Sequence, residues 1–222
     1  MNLTRFAAGQ SPPLCRCIQI NKLKVSITQG CIVNETNQTT TAYDAMVVPS
    51  NQWMSGNAAP STWWFNGRIN VDGKIRETCG NELIQIIQQM KRETQLKPNQ
   101  TFLPPGTVRI TTAPNLNLQH LIHTVGPSTT STSKIEEIQL EETYTTCFQT
   151  AETLKVHTLL MPAISTGVFR MPFDLCAKAA IRALEKHRTC HLQKINFVLL
   201  EKSGAEIPIH LKNEDCTWLK HI

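Results

Sequence analysis

Between Leu121 and Leu200 short apolar runs alternate with longer amphipathic stretches, and this alternation restricts the fold more than any other feature of the chain. The runs read "LIHTV" (121–125), "HTLLM" (157–161) and "INFVLL" (195–200). They are bounded by Gly, Pro, Asn or Thr and rich in Val, Ile and Thr, which marks strands. Between the first two, Ile138, Tyr144, Cys147, Phe148, Ala151 and Leu154 recur at helical spacing. Between the second two, Leu175, Ala179, Ala180, Ala183 and Leu184 do the same, with Asp174 as the expected cap. Strand–helix–strand repeats imply parallel pairing through right-handed crossovers, with helices laid over the sheet.

The first half carries further strand-like segments, "CIQI" (17–20), "LKVSI" (23–27), "DAMVV" (44–48) and "TVRITT" (107–112), without a helix between each pair. The expected fold is therefore α/β, a mixed central β-sheet sandwiched between helices in three layers. A helix of about five turns is expected after Gly73, where Ile75, Cys79, Leu83, Ile86, Ile87 and Met90 share a face. No linker or internal repeat divides the chain, so residues 1–222 read as one domain with a core of about 18–202 and extensions at 1–17 and 203–222. The segment 52–70 stands apart as a long connection holding Trp53, Trp63, Trp64 and Phe65. Those rings either pack the insertion onto the core or stack on a ligand.

With 41 % hydrophobic and 18 % charged residues the chain has ample material for a packed core. No run approaches the ~20 apolar residues of a membrane span, and the opening residues lack an apolar leader. An intracellular protein, cytoplasmic or nuclear and off the membrane, is expected. The net charge of +5 comes from scattered basic residues, which argues against a nucleic-acid partner. The eight cysteines show no Cys-x-x-Cys pair and no His at zinc spacing. Reduced structural thiols and no metal are expected.

Ligands of open α/β sheets bind beyond the carboxyl ends of the strands. Three such ends are distinctive here: "VVPSN" closing at Asn51, "HTVGP" at Val125-Gly126-Pro127, and "PAISTGVF" at Ser165 to Phe169. A Ser-Thr-Gly turn before a helix aims backbone N–H groups at one spot, and a helix N-terminus adds positive potential. That combination suits a phosphate; it is also a common structural turn.

In chain order, "DAMVVPSN", "VDG" (71–73), "LIHTVGP" and "PAISTGVF" resemble the macro domain family over roughly residues 24–200. The family patterns are Asn-Ala-Ala-Asn at a strand end, a Gly-rich turn into Val-Asp-Gly, Ile-His-Thr-Val-Gly-Pro, and Ile-Ser-Thr-Gly-[Ile/Val]-[Tyr/Phe]. The resemblance implies a cleft for ADP-ribose with no further cofactor. Ser165, Thr166, Gly167 and Val168 would surround the diphosphate, and Phe169 would meet the distal ribose. Val125, Gly126 and Pro127 would line the cleft. Asn51 and Asp72 match the amide and carboxylate of the MacroD-type hydrolases, in which a water attacks the bond joining ADP-ribose to a protein side chain.

Three places depart from the family. Gly30-Cys31-Ile32 stands where Gly-Asp-Ile puts an Asp on adenine, a loss typically worth about 1.5–3 kcal/mol. Val48-Pro49-Ser50 precedes Asn51 in place of Asn-Ala-Ala, with Ser50 still a ligand contact. Gly67-Arg68-Ile69-Asn70 replaces the glycine run, and Arg68 could bind the diphosphate through charge-assisted hydrogen bonds. The expected activity is release of mono-ADP-ribose from a modified protein, foremost from an ester on an acidic side chain. The alternatives are a reader that binds without cleaving and, less favoured, a divergent nucleotide- or RNA-binding domain. Asp72 also fits a plain helix cap and Asn51 a plain turn residue.

Overall fold

The computed structural model describes residues 16–37, 42–56, 64–65, 68–128 and 134–199, with backbone only at 16, 64–65 and 68–69. A seven-stranded sheet holds β1 (Arg16–Ile20), β2 (Leu23–Gln29), β3 (Ala45–Pro49), β6 (Val108–Thr111), β7 (His120–Thr124), β8 (Thr158–Pro162) and β9 (Lys194–Leu199). A two-stranded ribbon pairs β4 (Trp64–Phe65) with β5 (Arg68–Ile69). The helices are α1 (Ile32–Glu35), α2 (Val71–Glu93), α3 (Lys134–Thr153) and α4 (Phe173–Lys186). The sheet order is β1-β2-β9-β8-β3-β7-β6. The five strands from β2 to β7 run parallel, and antiparallel β1 and β6 close the two edges.

Alternation along the strands builds two cores. Ala45, Val47, Leu159, Met161, Ile195 and Phe197 face the layer of α3 and α4. Met46, Val48, Leu160 and Val198 face α1 and α2. On the helices, Tyr144, Cys147, Phe148 and Ala151 of α3 and Cys176, Ala179, Ala180 and Ala183 of α4 have no exposed surface. Alanines let α4 approach α3 closely, and Arg182 reaches across to Glu137 and Glu141. The α/β sandwich expected from the sequence is thus observed.

Several details differ from the sequence expectation. α2 breaks at Gly80, whose φ of 65° and ψ of −154° leave the helical region. The Cys79 carbonyl at the break accepts from Asn115 Nδ2 at 3.4 Å. Pro172, not Asp174, occupies the N-cap of α4, and Asp174 lies in the first turn. Asn70, not Asp72, caps α2, its Oδ1 accepting from the Gly73 amide at 2.8 Å. Ile138 is 48 % exposed, because it lies two residues out of step with buried Glu136 and Leu140 on α3. Trp53 is also exposed, at 52 %. Trp63, the extension 203–222, residues 1–15 of the N-terminal extension, and the side chains of Trp64, Phe65 and Arg68 lie outside the described residues.

Burial raises the thiol of Cys79 to about 11 and those of Cys147 and Cys176 to about 12, so these cysteines stay protonated. No helix among the described residues is long and apolar enough to cross a membrane, and none of their His, Cys, Asp and Glu side chains form a metal-binding group.

Candidate functional site

The parallel strands end on one side of the sheet, at Pro49, Thr124, Pro162 and Leu199, and a cavity of about 270 Å³ opens there. One wall is the loop from β8 to α4. Tyr144 Oη accepts from the Ile164 amide at 3.0 Å, Cys176 Sγ donates to the Ile164 carbonyl, and Thr166 Oγ1 donates to the Ala163 carbonyl. These bonds hold the loop on the α3–α4 layer. The Met171 amide closes it by donating to the Ser165 carbonyl at 2.9 Å.

Inside that loop polar groups remain unused. The amides of Gly167 and Val168 donate to no carbonyl among the described residues. Ser165 is 7 % exposed, sits at a φ of 67°, and keeps a buried Oγ with no hydrogen-bond partner among the described residues. Buried hydroxyls are usually paired, so this one marks a place built for something else. The loop feeds the N-terminus of α4, which adds positive potential. Gly126 packs beneath: a Cβ there would stand 2.3 Å from Ser165 Oγ and 2.6 Å from Ile164 Cγ2. At Gly167 a Cβ would meet no atom within 4 Å.

The facing wall comes from the end of β3 and the start of α2. Asn51 Oδ1 accepts from the amides of Trp53 and Ser55 and from Ser55 Oγ, while Nδ2 donates to the Gly56 carbonyl at 2.7 Å. The side chain thereby folds residues 51–56 around itself, and its second Nδ2 proton meets no acceptor among the described residues. Asp72 is paired with Arg76 at 3.1 Å, and Arg76 Nη2 donates to the Met54 carbonyl. Burial pushes the Asp72 carboxyl above its ordinary range; the Arg76 charge and hydrogen bonds from Arg76 and Ser50 pull the other way. A proton is therefore easier to place on Asp72 than on an exposed carboxylate.

Of the residues singled out in the sequence, Ser50, Asn51, Asp72, Gly126 and Ser165 to Phe169 line this cavity. Val125 is buried just beneath it, and Pro127 follows, also buried. Gly30, Cys31 and Ile32 stand outside the lining, tied to it where the Gly30 amide donates to the carbonyl of the lining residue Leu199. Lining residues not foreseen include Asn70, Val71, Phe173 and Leu199. Phe173, 40 % exposed at the start of α4, falls in step with buried Cys176, Ala177 and Ala180, so helical spacing alone reads it as core.

A family model described as Macro domain matches residues 57–180. An O-acetyl-ADP-ribose deacetylase of Escherichia fergusonii is 31 % identical over 153 residues, which cover 68 % of this chain and 82 % of the relative. A macro domain-containing protein of Streptomyces coelicolor, SCO6450, is 33 % identical over 150 residues, 68 % of this chain and 84 % of its own. Among solved structures, an Oceanobacillus iheyensis macrodomain with ADP superposes with a TM-score of 0.70 at 26 % identity, covering 87 % of this chain and 92 % of that one.

Proposed function

The chain belongs to the macro domain family, and we propose that it binds ADP-ribose in this cavity and hydrolyses mono-ADP-ribose from modified protein side chains. The observation that carries the reading is a set of open amides and one unpaired hydroxyl, at 165–168, facing a buried carboxylate across a single cavity. The amides suit a diphosphate, which the α4 N-terminus further favours. Asp72 then sits where a carboxylate can take a proton from an attacking water. The spare Nδ2 proton of Asn51 can hold a ribose hydroxyl. The deacetylase relative acts, by its name, on an ester of ADP-ribose, which supports an ester to an acidic side chain as the bond cleaved here.

The test is calorimetric titration with ADP-ribose, followed by release of ADP-ribose from a mono-ADP-ribosylated protein. Saturable binding by the wild type, weakened more than a hundredfold in Gly167→Glu, is the expected result. The new side chain enters open space, so the folded protein is preserved while a carboxylate repels the diphosphate. No binding at millimolar ligand would refute the proposal.

A reader that binds without cleaving is the second reading. It is favoured by the engagement of Asn51 with its own loop and of Asp72 with Arg76, which leaves both functional side chains already occupied. Tight binding to the modified protein with no release over hours would select it.

A further inference from the structure

Large apolar side chains stand exposed at eight places among the described residues, and three of them gather at the mouth of the cavity. Val168, 60 % exposed, and Phe173 both line the cavity on its β8–α4 wall, so they form part of its rim. Trp53 lies on the facing wall, 52 % exposed and outside the lining, two residues beyond the lining residue Asn51. The other five are spread over α2, the segment after it, β6 and α3. Single exposed hydrophobes are ordinary, but a group of them at one opening marks a recognition surface.

The turn that carries Trp53 is fixed on both sides of it. The Trp53 amide donates to Asn51 Oδ1 at 3.0 Å, and the Met54 amide donates to the Asn51 carbonyl at 2.9 Å. The Leu103 amide donates to the Gln52 carbonyl at 2.8 Å, and Arg76 Nη2 donates to the Met54 carbonyl. Met54 sits at a φ of 45°, a left-handed backbone that a bulky residue keeps only where its surroundings impose it. The neighbours are thereby sorted. Met54 is 1 % exposed in the core, while the indole is left in water on a rigid turn, ready to be covered without an ordering cost in the backbone.

We propose that Trp53, across the mouth from Val168 and Phe173, receives the polypeptide beside a modified residue and favours a large apolar side chain there. The inference rests on the reading that the cavity holds ADP-ribose, and holds for a reader as for a hydrolase. In that reading the diphosphate lies on the amides of Gly167 and Val168, and the bond to the protein lies at the Asn51 and Asp72 end. The polypeptide therefore emerges beside the Trp53 turn. The occupant is the modified protein itself, because its seated ADP-ribose holds the flanking residues at the mouth and makes their contact intramolecular. Trp53 touches no reacting atom; it is a specificity contact.

Titration calorimetry of the full chain tests it, with free ADP-ribose and two peptides as ligands. Each peptide carries one ADP-ribosyl group on a hydrolysis-resistant linkage, flanked in one by Leu on both sides and in the other by Ser. The wild type should bind the Leu peptide about tenfold more tightly than the Ser peptide. Trp53→Ser should bring that ratio close to one, and Trp53→Phe should keep most of it. The indole Nε1–H signal lost in Trp53→Phe should shift more with the Leu peptide than with the Ser peptide. Equal affinity of the wild type for the two peptides, or a preference that survives Trp53→Ser, overturns the proposal while leaving the cavity reading intact. A wild type that binds no free ADP-ribose at millimolar concentration overturns the cavity reading, and the proposal with it.

Discussion

On the β8–α4 side of the cavity Ser165 holds a buried hydroxyl without a partner among the described residues and the amides of Gly167 and Val168 stay open, whereas on the β3–α2 side Asn51 and Asp72 are committed to neighbours. The first wall is anchored from outside, by Tyr144 and Cys176, so its inner face is left for a ligand. The second is anchored from inside, by the same side chains proposed to act. Affinity should therefore depend chiefly on the first wall, and chemistry on whether the second can keep its order while releasing one donor and one carboxylate.

Breaking the second wall should have the greater consequence for turnover. Asp72→Ala should reduce release of ADP-ribose about a thousandfold. It also leaves Arg76, whose side chain is 6 % exposed, without its counter-charge, for about 3 kcal/mol less stability in urea unfolding. Binding retained beside that loss would separate the two walls cleanly. Gly126→Ala attacks the first wall from beneath, forcing Ser165 and Ile164 away from the new Cβ. A loss of about 2 kcal/mol with weaker ADP-ribose binding is expected, read from thermal unfolding and calorimetry.

Acid should distinguish the groups behind the second wall. His123 has a folded value of about 3 against an ordinary 6.5, so it contributes stability above 6.5 that is lost as pH falls. Between pH 7 and pH 5 that loss is about 2 kcal/mol. Asp72 runs in the opposite sense: its raised value favours the folded state below the ordinary carboxyl range and loses that contribution as pH rises through it. Urea midpoints across this range should fall with acid in the wild type and flatten in His123→Gln. The mildest change sharpens affinity: Cys31→Asp restores the carboxylate of the Gly-Asp-Ile pattern and should tighten ADP-ribose binding about tenfold by calorimetry.

Periodicity revealed the layers because burial repeats. Cys79, Leu83 and Ile87 mark one face of α2 at intervals of four, and Ala45 to Val48 alternate between the two cores. The cavity's first wall was readable because "AISTGVF" is contiguous in sequence. In the second, Asn51 and Asp72 were singled out by the resemblance but their bonding was not, since Arg76 reaches Met54 and Thr111 runs through His123 to Ser50, and no local pattern encodes partners that far away. The cap expected at Asp174, and the cap reading of Asp72 kept beside its catalytic one, failed for a related reason. Asp is favoured at N-cap and in the first turn alike, and here Asn70 and Pro172 took the caps, leaving Asp72 and Asp174 within the helices.

The left-handed backbone of Ser165, together with its unpaired hydroxyl, gives the free protein a local disadvantage of roughly 2–4 kcal/mol. Stability and recognition thus pull on this residue in opposite directions. Glycine there would relax the backbone and remove the lone hydroxyl, raising the melting temperature of the ligand-free protein while weakening its hold on a ligand. Residue 165 is in that sense a dial between durability and affinity, and a thermostabilised form of this protein should be checked there before its binding is measured.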